Sequence, residues 1–290
     1  MNSLKKISVI GMGLLGSSVT LSAKSEFPAA KVVGYSHRDS TREKARESEV
    51  AHEIADSLEC AIIEADIVIL ATPIRTFEGY FVQMAPHLKD GCIVTDVGST
   101  KTLPHRWAAK YLPKNVYYIG SHPIAGSEKR GLEFARDDLL ANAECILTKV
   151  RNTNPAGIEM LKKFWLTLKC KVQVMSPIMH DRIFGMVSHL PHLTAAALVN
   201  ASRDQEMRFA GRGFIDTTRV ASGPANIWTD ILMTNPGICS QGIENLIIQL
   251  KKIQAAIEAG DDKEVQRLLE QAVKKRTALI EYKIEHKELF

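Results

Sequence analysis

This 290-residue sequence predicts an α/β fold: a doubly wound parallel sheet followed by an all-helical domain. Three features predict it. A short apolar strand runs straight into a glycine-rich turn near the start of the chain. Strand-like and helix-like segments then alternate as far as about residue 175, and beyond that point long stretches of helical periodicity carry few strand signals. The expected division therefore places a sheet domain at residues 1–175 and a helical domain at residues 176–290.

The first strand is the apolar run Ile7 to Ile10, and Gly11, Gly13 and Gly16 follow it as G-x-G-x-x-G. A helix continuing from Leu14 and Leu15 completes the strand–turn–helix context that a phosphate cradle requires. Gly11 allows the tight turn, Gly13 lets the backbone approach a pyrophosphate, and Gly16 lets helix and strand pack closely. The amino end of the helix then faces the negative charge. The expected ligand is a nicotinamide dinucleotide. Its identity is written after the second strand, Lys31 to Tyr35. An NAD-binding fold usually places an acid there for the ribose 2′-hydroxyl, and this chain has Ser36, His37, Arg38 and Thr41. Hydroxyl and cationic donors suit a 2′-phosphate, so the loop favours NADP over NAD; the alternative is a solvated turn with Asp39 reaching back to the ribose.

A polar helix around Thr41 to Glu49 leads to ADIVILATP, whose run Ile67 to Ala71 reads as a strand buried on both faces. Pro73 ends it at the carboxyl edge, which places Thr72, Pro73 and Thr76 against the dinucleotide. A helix around Phe77 to Leu88, a strand from Cys92 to Asp96, the loop Val97 to Lys101 and a strand from Val116 to Gly120 continue the alternation. Lys171 to Val174 is the last strand signal. In the helical part, Ile243 to Ala259 and Lys263 to Tyr282 each repeat apolar residues at helical spacing. The Lys274-Lys275-Arg276 run reads as a solvated helix face.

Composition excludes several classes. Basic and acidic residues nearly balance, at 37 against 33, and no basic block marks a nucleic-acid surface. No run of about 18 apolar residues or signal-type segment occurs, so neither a membrane span nor export is expected. Five scattered cysteines without C-x-x-C spacing suggest neither a disulfide framework nor zinc and fit a reducing cytoplasm.

Four further motifs, DVGSTK at Asp96 to Lys101, SHPIAGSEKRG from Ser121, VSHLPH from Val187 and DTTRVASGPANIWTDI from Asp216, occur in this order. Together with the glycine loop they resemble the prephenate/arogenate dehydrogenases of tyrosine biosynthesis over nearly the whole chain. The resemblance implies a Rossmann-like first domain and a helical second domain that forms a homodimer. It also implies NADP- or NAD-dependent oxidative decarboxylation of prephenate to 4-hydroxyphenylpyruvate, or of arogenate to tyrosine.

The chemistry of the residues agrees. As hydride leaves the ring carbon, its hydroxyl must shed a proton, and a neutral imidazole is the suitable acceptor near neutral pH. His122, placed in a loop beyond a strand, occupies the family's catalytic position, with Ser99 and Glu128 as supporting catalytic groups. Arg219 offers a planar fork for the side-chain carboxylate. His189, His192, Ser127 and Trp228 are expected to line the substrate pocket, and Pro191 to bend or start a helix between the two histidines. Gly223 leaves a small residue where a polar side chain would discriminate between the substrates. Neither a metal nor a covalent nucleophile is assigned, and Cys145 reads as a small buried hydrophobe. Two rivals share the plan: a β-hydroxyacid dehydrogenase, which would rely on a catalytic lysine in its second domain, and an NADP-sensing regulator without catalysis.

Overall fold

The computed structural model describes residues 4–125, 129 and 131–286. Its main sheet contains β1 (Lys6–Ile10), β2 (Lys31–Tyr35), β3 (Glu53–Ile54), β4 (Ile67–Leu70), β5 (Ile93–Asp96) and β6 (Tyr117–Tyr118). All are parallel, in the order β3-β2-β1-β4-β5-β6. The order reverses direction between β1 and β4, which opens the crevice where such sheets take their ligands. Helices α1 (Leu14–Glu26), α2 (Asp39–Glu47), α3 (Leu58–Ile62), α4 (Phe77–Met84) and α5 (Thr102–Tyr111) connect the strands.

Alternation along buried strands sorts the core into two layers. Ile7 and Val9 of β1 and Ile67 and Ile69 of β4 pack with Val19 and Ala23 of α1. Ile10, Val68 and Leu70 face the other way, onto Phe77, Phe81 and Met84 of α4. Because both faces are covered, these strands are continuous apolar runs, which is why they are readable in the sequence. Burying each of the large α4 side chains contributes about 1.5–3 kcal/mol.

A second sheet departs from the expected single parallel one. It contains β7 (Gly120–Pro123), β8 (Glu144–Thr148) and β9 (Lys171–Met175), with β7 antiparallel to β8 and β8 parallel to β9. The segment Val116 to Gly120 reads as one strand in the sequence; it holds the whole of β6 and the first residue of β7. β7 itself, Gly-Ser-His-Pro, carries no alternation and two strand-averse residues, so periodicity does not reveal it. α6 (Pro155–Thr167) joins β8 to β9 and buries Leu161, Phe164 and Trp165 in the first core layer.

From residue 177 the chain is helical: α7 (Pro177–Phe184), α8 (Leu190–Ala201), α9 (Asp204–Met207), α10 (Arg212–Thr218), α11 (Ala225–Thr234), α12 (Pro236–Glu258) and α13 (Asp262–Glu285). Between α7 and α8 lies a π-helical turn, Gly185–His189. Pro191 has no N–H to donate to the carbonyl one turn back, and a local widening just before it accommodates that missing bond. By compactness the chain parts into residues 1–239 and 240–290, so that α7 to α11 belong with the sheets. In the first unit, Asn235 Nδ2 donates to the Asp181 carbonyl at 2.9 Å and Thr100 Oγ1 meets Thr234 Oγ1 at 2.8 Å. In the second, α12 continues and α13 runs as a separate 24-residue helix capped by the Asp261 side chain.

Candidate active site

The glycine loop has the conformation its spacing asks for. Gly11 sits at φ +108°, and a Cβ there would stand 2.6 Å from the Ala71 carbonyl oxygen of the neighbouring strand end. At Gly16 a Cβ would meet the Gly11 carbonyl oxygen at 1.9 Å, so no side chain fits between turn and helix. Gly13 is the opposite case: it is exposed, and nothing lies within 4 Å of where its Cβ would be. No side chain caps α1 above it. Free first-turn amides beneath an open glycine fit a pyrophosphate. Leu14 and Leu15 begin that helix half-buried.

At the end of β2, Ser36 is buried, His37 and Arg38 are exposed and Thr41 is half-exposed on the first turn of α2. Arg42 carries no local sign in the sequence, because it falls inside a helix rather than in the loop. Its Nη1 donates to the Ser36 carbonyl at 2.8 Å, it lies 5.9 Å from the Tyr35 ring centroid, and it pairs with Asp39. Its Nε is buried with no partner among the described residues. Asp39 is thus engaged with Arg42. At the next strand end Thr72 Oγ1 meets Thr76 Oγ1 at 2.8 Å, and Thr76 Oγ1 donates to the Pro73 carbonyl at 2.6 Å, which closes the turn at the sheet edge.

His122 lies not in the expected loop but within β7, opposite Ile146 of β8. The buried strand pair fixes its backbone, and its ring lies 5.0 Å from that of Phe184. Its Nδ1 is 2.8 Å from His180 Nε2, and His180 Nδ1 is 2.9 Å from Asp181 Oδ1. Asp181 in turn accepts from the backbone N–H of Lys101 at 2.7 Å and of Thr102 at 2.8 Å, where α5 begins. Burial, then the neighbouring His180, Lys101 and His189, push the His122 imidazole well below its usual pKa, so it is neutral at neutral pH. Burial also lowers His180 against the opposing pull of Asp181. Burial alone would raise the Asp181 carboxyl, but hydrogen bonds from His180, Thr102 and Lys101 hold it below its usual value.

Ser99 is half-buried in the loop between β5 and α5. Two residues on, Lys101 turns its ammonium fully inside to pair with Asp96, whose other oxygen accepts from Tyr118 Oη at 2.8 Å. Lys101 is thus a structural counter-charge. Ser127 and Glu128 lie outside the described residues.

The π-turn ends on His189, which is buried, with burial lowering its pKa to about 4. Its Nδ1 lies 3.4 Å from Asn235 Nδ2 and 3.9 Å from Cys239 Sγ. His192 stacks on Trp228 with centroids 3.6 Å apart, and the Val220 backbone bonds its ring; its Nδ1 is buried without a partner among the described residues. Gly223 has a packing role: a Cβ there would stand 2.3 Å from Trp228 Nε1 and 3.2 Å from His192 Cε1, so its smallness admits the stack. Arg219 begins the 3₁₀ turn Arg219–Ser222, exposed and one residue before Val220. The structure thus brings His192, Trp228, Gly223 and Val220 together next to Arg219, and His122 together with His180, Asp181 and Lys101. Among the described residues no cluster of three or more metal-ligating side chains occurs, and no helix is long and apolar enough to cross a membrane.

Comparison with known proteins identifies the chain. The nucleotide-binding domain of prephenate dehydrogenase matches residues 19–174, and the dimerization domain of prephenate dehydrogenase matches residues 176–271. The chain belongs to the prephenate dehydrogenase family. Within this NAD-dependent oxidoreductase family it is 33% identical over 287 residues to prephenate dehydrogenase of Bacillus subtilis, covering 96% of this chain and 77% of that one. It is 31% identical over 286 residues to cyclohexadienyl dehydrogenase of Zymomonas mobilis, covering 96% and 97%. Among solved structures, prephenate dehydrogenase from Aquifex aeolicus in complex with hydroxyphenyl propionate and NAD+ superposes with a TM-score of 0.88 at 30% identity, covering 96% of this chain and 99% of that one.

Proposed function

We propose that this protein catalyses the NADP-preferring oxidative decarboxylation of prephenate to 4-hydroxyphenylpyruvate, in the cytoplasm and as a homodimer. The observation that carries the reading is a neutral, strand-held His122 in a chain that also builds an open, uncapped glycine cradle and matches the family along its length. The dinucleotide would supply the hydride acceptor; the uncapped amides at the start of α1, at Gly13 to Leu15, would hold its pyrophosphate, and Thr72, Pro73, Thr76 and Ser99 would contact it at the sheet edge. Ser36, His37, Arg38, Thr41 and the partly unsatisfied guanidinium of Arg42 form the 2′-phosphate contact and favour NADP. The residue division at about 175 marks the functional domains in this reading.

His122 accepts the ring hydroxyl proton as the carbonyl forms, and aromatisation then drives the loss of carbon dioxide. The proton returns from His122 to the product's phenolic oxygen, so the base is restored. Arg219 holds the side-chain carboxylate, while His189, His192 and Trp228 line the ring pocket. Arogenate is the second reading, favoured by the likeness to a cyclohexadienyl dehydrogenase. A matrix of kcat/KM for both substrates with NADP and NAD tests all of this. The highest value is expected for prephenate with NADP; no reduced cofactor in any of the four combinations would overturn the assignment.

A further inference from the structure

We propose that His180 and Asp181 are positioning residues that fix the catalytic tautomer of His122, so that its Nε2 is the base. The inference rests on the reading of His122 as proton acceptor and adds to it which nitrogen acts and what dictates that choice.

The argument starts at the buried end. Asp181 is 2% exposed, and its two oxygens accept from the N–H groups of Lys101 and Thr102. A carboxylate held by two amide donors stays ionised, and an ionised carboxylate only accepts hydrogen bonds. The 2.9 Å contact from Asp181 Oδ1 to His180 Nδ1 therefore requires the proton on that nitrogen. His180 is fully buried with its pKa depressed, so it carries one ring proton, and its Nε2 is left as an acceptor. The 2.8 Å contact to His122 then requires His122 Nδ1 to donate. One neutral imidazole has one N–H, so the lone pair of His122 falls on Nε2, the nitrogen away from His180. Three residues in a row thus settle a tautomer that β7 alone would leave open.

The same row has a second effect. When His122 takes the hydroxyl proton at Nε2 it becomes an imidazolium with two N–H groups, and its charge is stabilised through the hydrogen bond to His180, whose other ring nitrogen faces Asp181. His180 keeps its proton throughout. The groups facing His122 are His180 and Asp181 from α7, His189 from the π-turn and Lys101 from the loop after β5; of these Asp181 alone is anionic, and its pull opposes that of Lys101. From within α7, Asp181 also has a structural duty, since its bonds to the Lys101 and Thr102 amides cap the start of α5.

The acid limb of Asp181→Asn separates the two roles. Asparagine can still accept from Thr102 through its oxygen, while its N–H group, at the place of the Oδ1 that faces both His180 Nδ1 and the Lys101 amide, donates to His180 Nδ1. That pushes the His180 proton to Nε2 and the His122 proton to Nε2 as well, which blocks the base. The kcat of a folded Asp181→Asn enzyme should fall by roughly 10²-fold or more with KM and NADPH binding little changed, a loss of the kind seen when a buried aspartate orienting a histidine is made an amide. The acid limb of its pH profile should also move to lower pH, because the anion that favours the imidazolium is gone. His180→Leu should lose kcat similarly, and His180→Gln, whose carbonyl can accept from His122 Nδ1, should recover part of it. An unmoved acid limb in Asp181→Asn, together with equal losses in His180→Leu and His180→Gln, would mean a purely structural role and overturn the proposal. Should Asp181→Asn not fold, imidazole ¹⁵N shifts of the wild type decide directly: a protonated Nδ1 and bare Nε2 on His122 support the proposal, and the reverse overturns it. That spectrum is independent of turnover, so failure of the prephenate assay and failure of this inference give different results.

Discussion

In the proposed reading a single imidazole carries most of the chemistry, and its environment says how it should respond. His122 is held neutral by burial and by its cationic and histidine neighbours, so His122→Asn, which removes the base but keeps a polar side chain of similar size, should lower kcat by roughly 10²- to 10⁴-fold with cofactor binding nearly intact. Steady-state kinetics on folded protein checks this, and near-normal turnover would remove His122 from the mechanism. In the wild type, activity should persist well below pH 6.5 and decline only as pH falls through the depressed pKa of that ring. Arg38 is the exposed cation after β2. Losing one charged hydrogen bond to a 2′-phosphate should raise KM for NADP by roughly 10- to 100-fold in Arg38→Ala while KM for NAD hardly moves. A wild type that uses NAD better than NADP would show that this loop does not hold a phosphate. For Arg219 the expected signature differs. The carboxylate assigned to it in the proposed reading is remote from the reacting carbon, so the contact should be alike in ground and transition states and show in KM. Arg219→Ala should raise KM for prephenate by roughly 30-fold or more, and Arg219→Lys should restore only part, since it keeps charge without the fork. A collapse of kcat at constant KM would place the carboxylate elsewhere.

Elements set how these residues meet, and they set the acid stability as well. His105 on α5 and His189 on the π-turn are buried, and burial lowers each to a pKa of about 4 from an ordinary 6.5. The unfolded chain therefore binds more protons than the folded one between these values, and stability falls as pH drops from about 6.5 toward 4. Each ring accounts for roughly 3 kcal/mol over that window. Thermal melts at stepped pH should show Tm falling across it, and His105→Gln, which keeps a donor for Thr148 Oγ1 at the site of the 2.9 Å contact, should flatten part of the decline. A Tm independent of pH between 6.5 and 4 would contradict the burial of both rings. The same elements explain what the sequence revealed. β1, β2, β4 and β5 announce themselves because parallel strands covered on both faces are apolar throughout, and the glycine spacing reports the turn after β1. β7 escapes because Gly-Ser-His-Pro has neither alternation nor β-formers, so the sequence places His122 in a loop. His180 and Asp181 escape for another reason: they act through contacts 58 and 80 residues away in sequence, from His122 and Lys101, and no local pattern marks such partners. Arg42 is overlooked because a helix position gives no sign of turning back to the strand end, and Gly223 reads as a gap when it makes room for the Trp228 stack.

At the scale of the whole molecule, the second compact unit explains itself least when taken as a single copy. On α12, Ile243, Ile247, Leu250 and Ile257 fall at helical spacing along one stripe, and on α13 Val265, Leu269 and Val273 do the same. Ile257 is 62% exposed and Val273 65%, and Ala256, Ile257, Val265, Leu269 and Val273 line one apolar groove between the two helices. A soluble monomer rarely leaves a contiguous apolar surface of this kind in water. The matching dimerization domain spans residues 176–271, which includes α12 and the first part of α13, and a second copy with the same stripe is the self-complementary occupant that a two-fold interface needs. Size-exclusion chromatography with light scattering should therefore give about twice the 32.1 kDa chain mass. Glutamates at both Ile257 and Val273 would place charges in that apolar interface, where an unpaired buried charge costs several kcal/mol, and should shift the protein toward monomer at the same loading concentration. A wild type that stays at the mass of one chain at micromolar concentration would leave the stripe without an occupant and overturn the dimer.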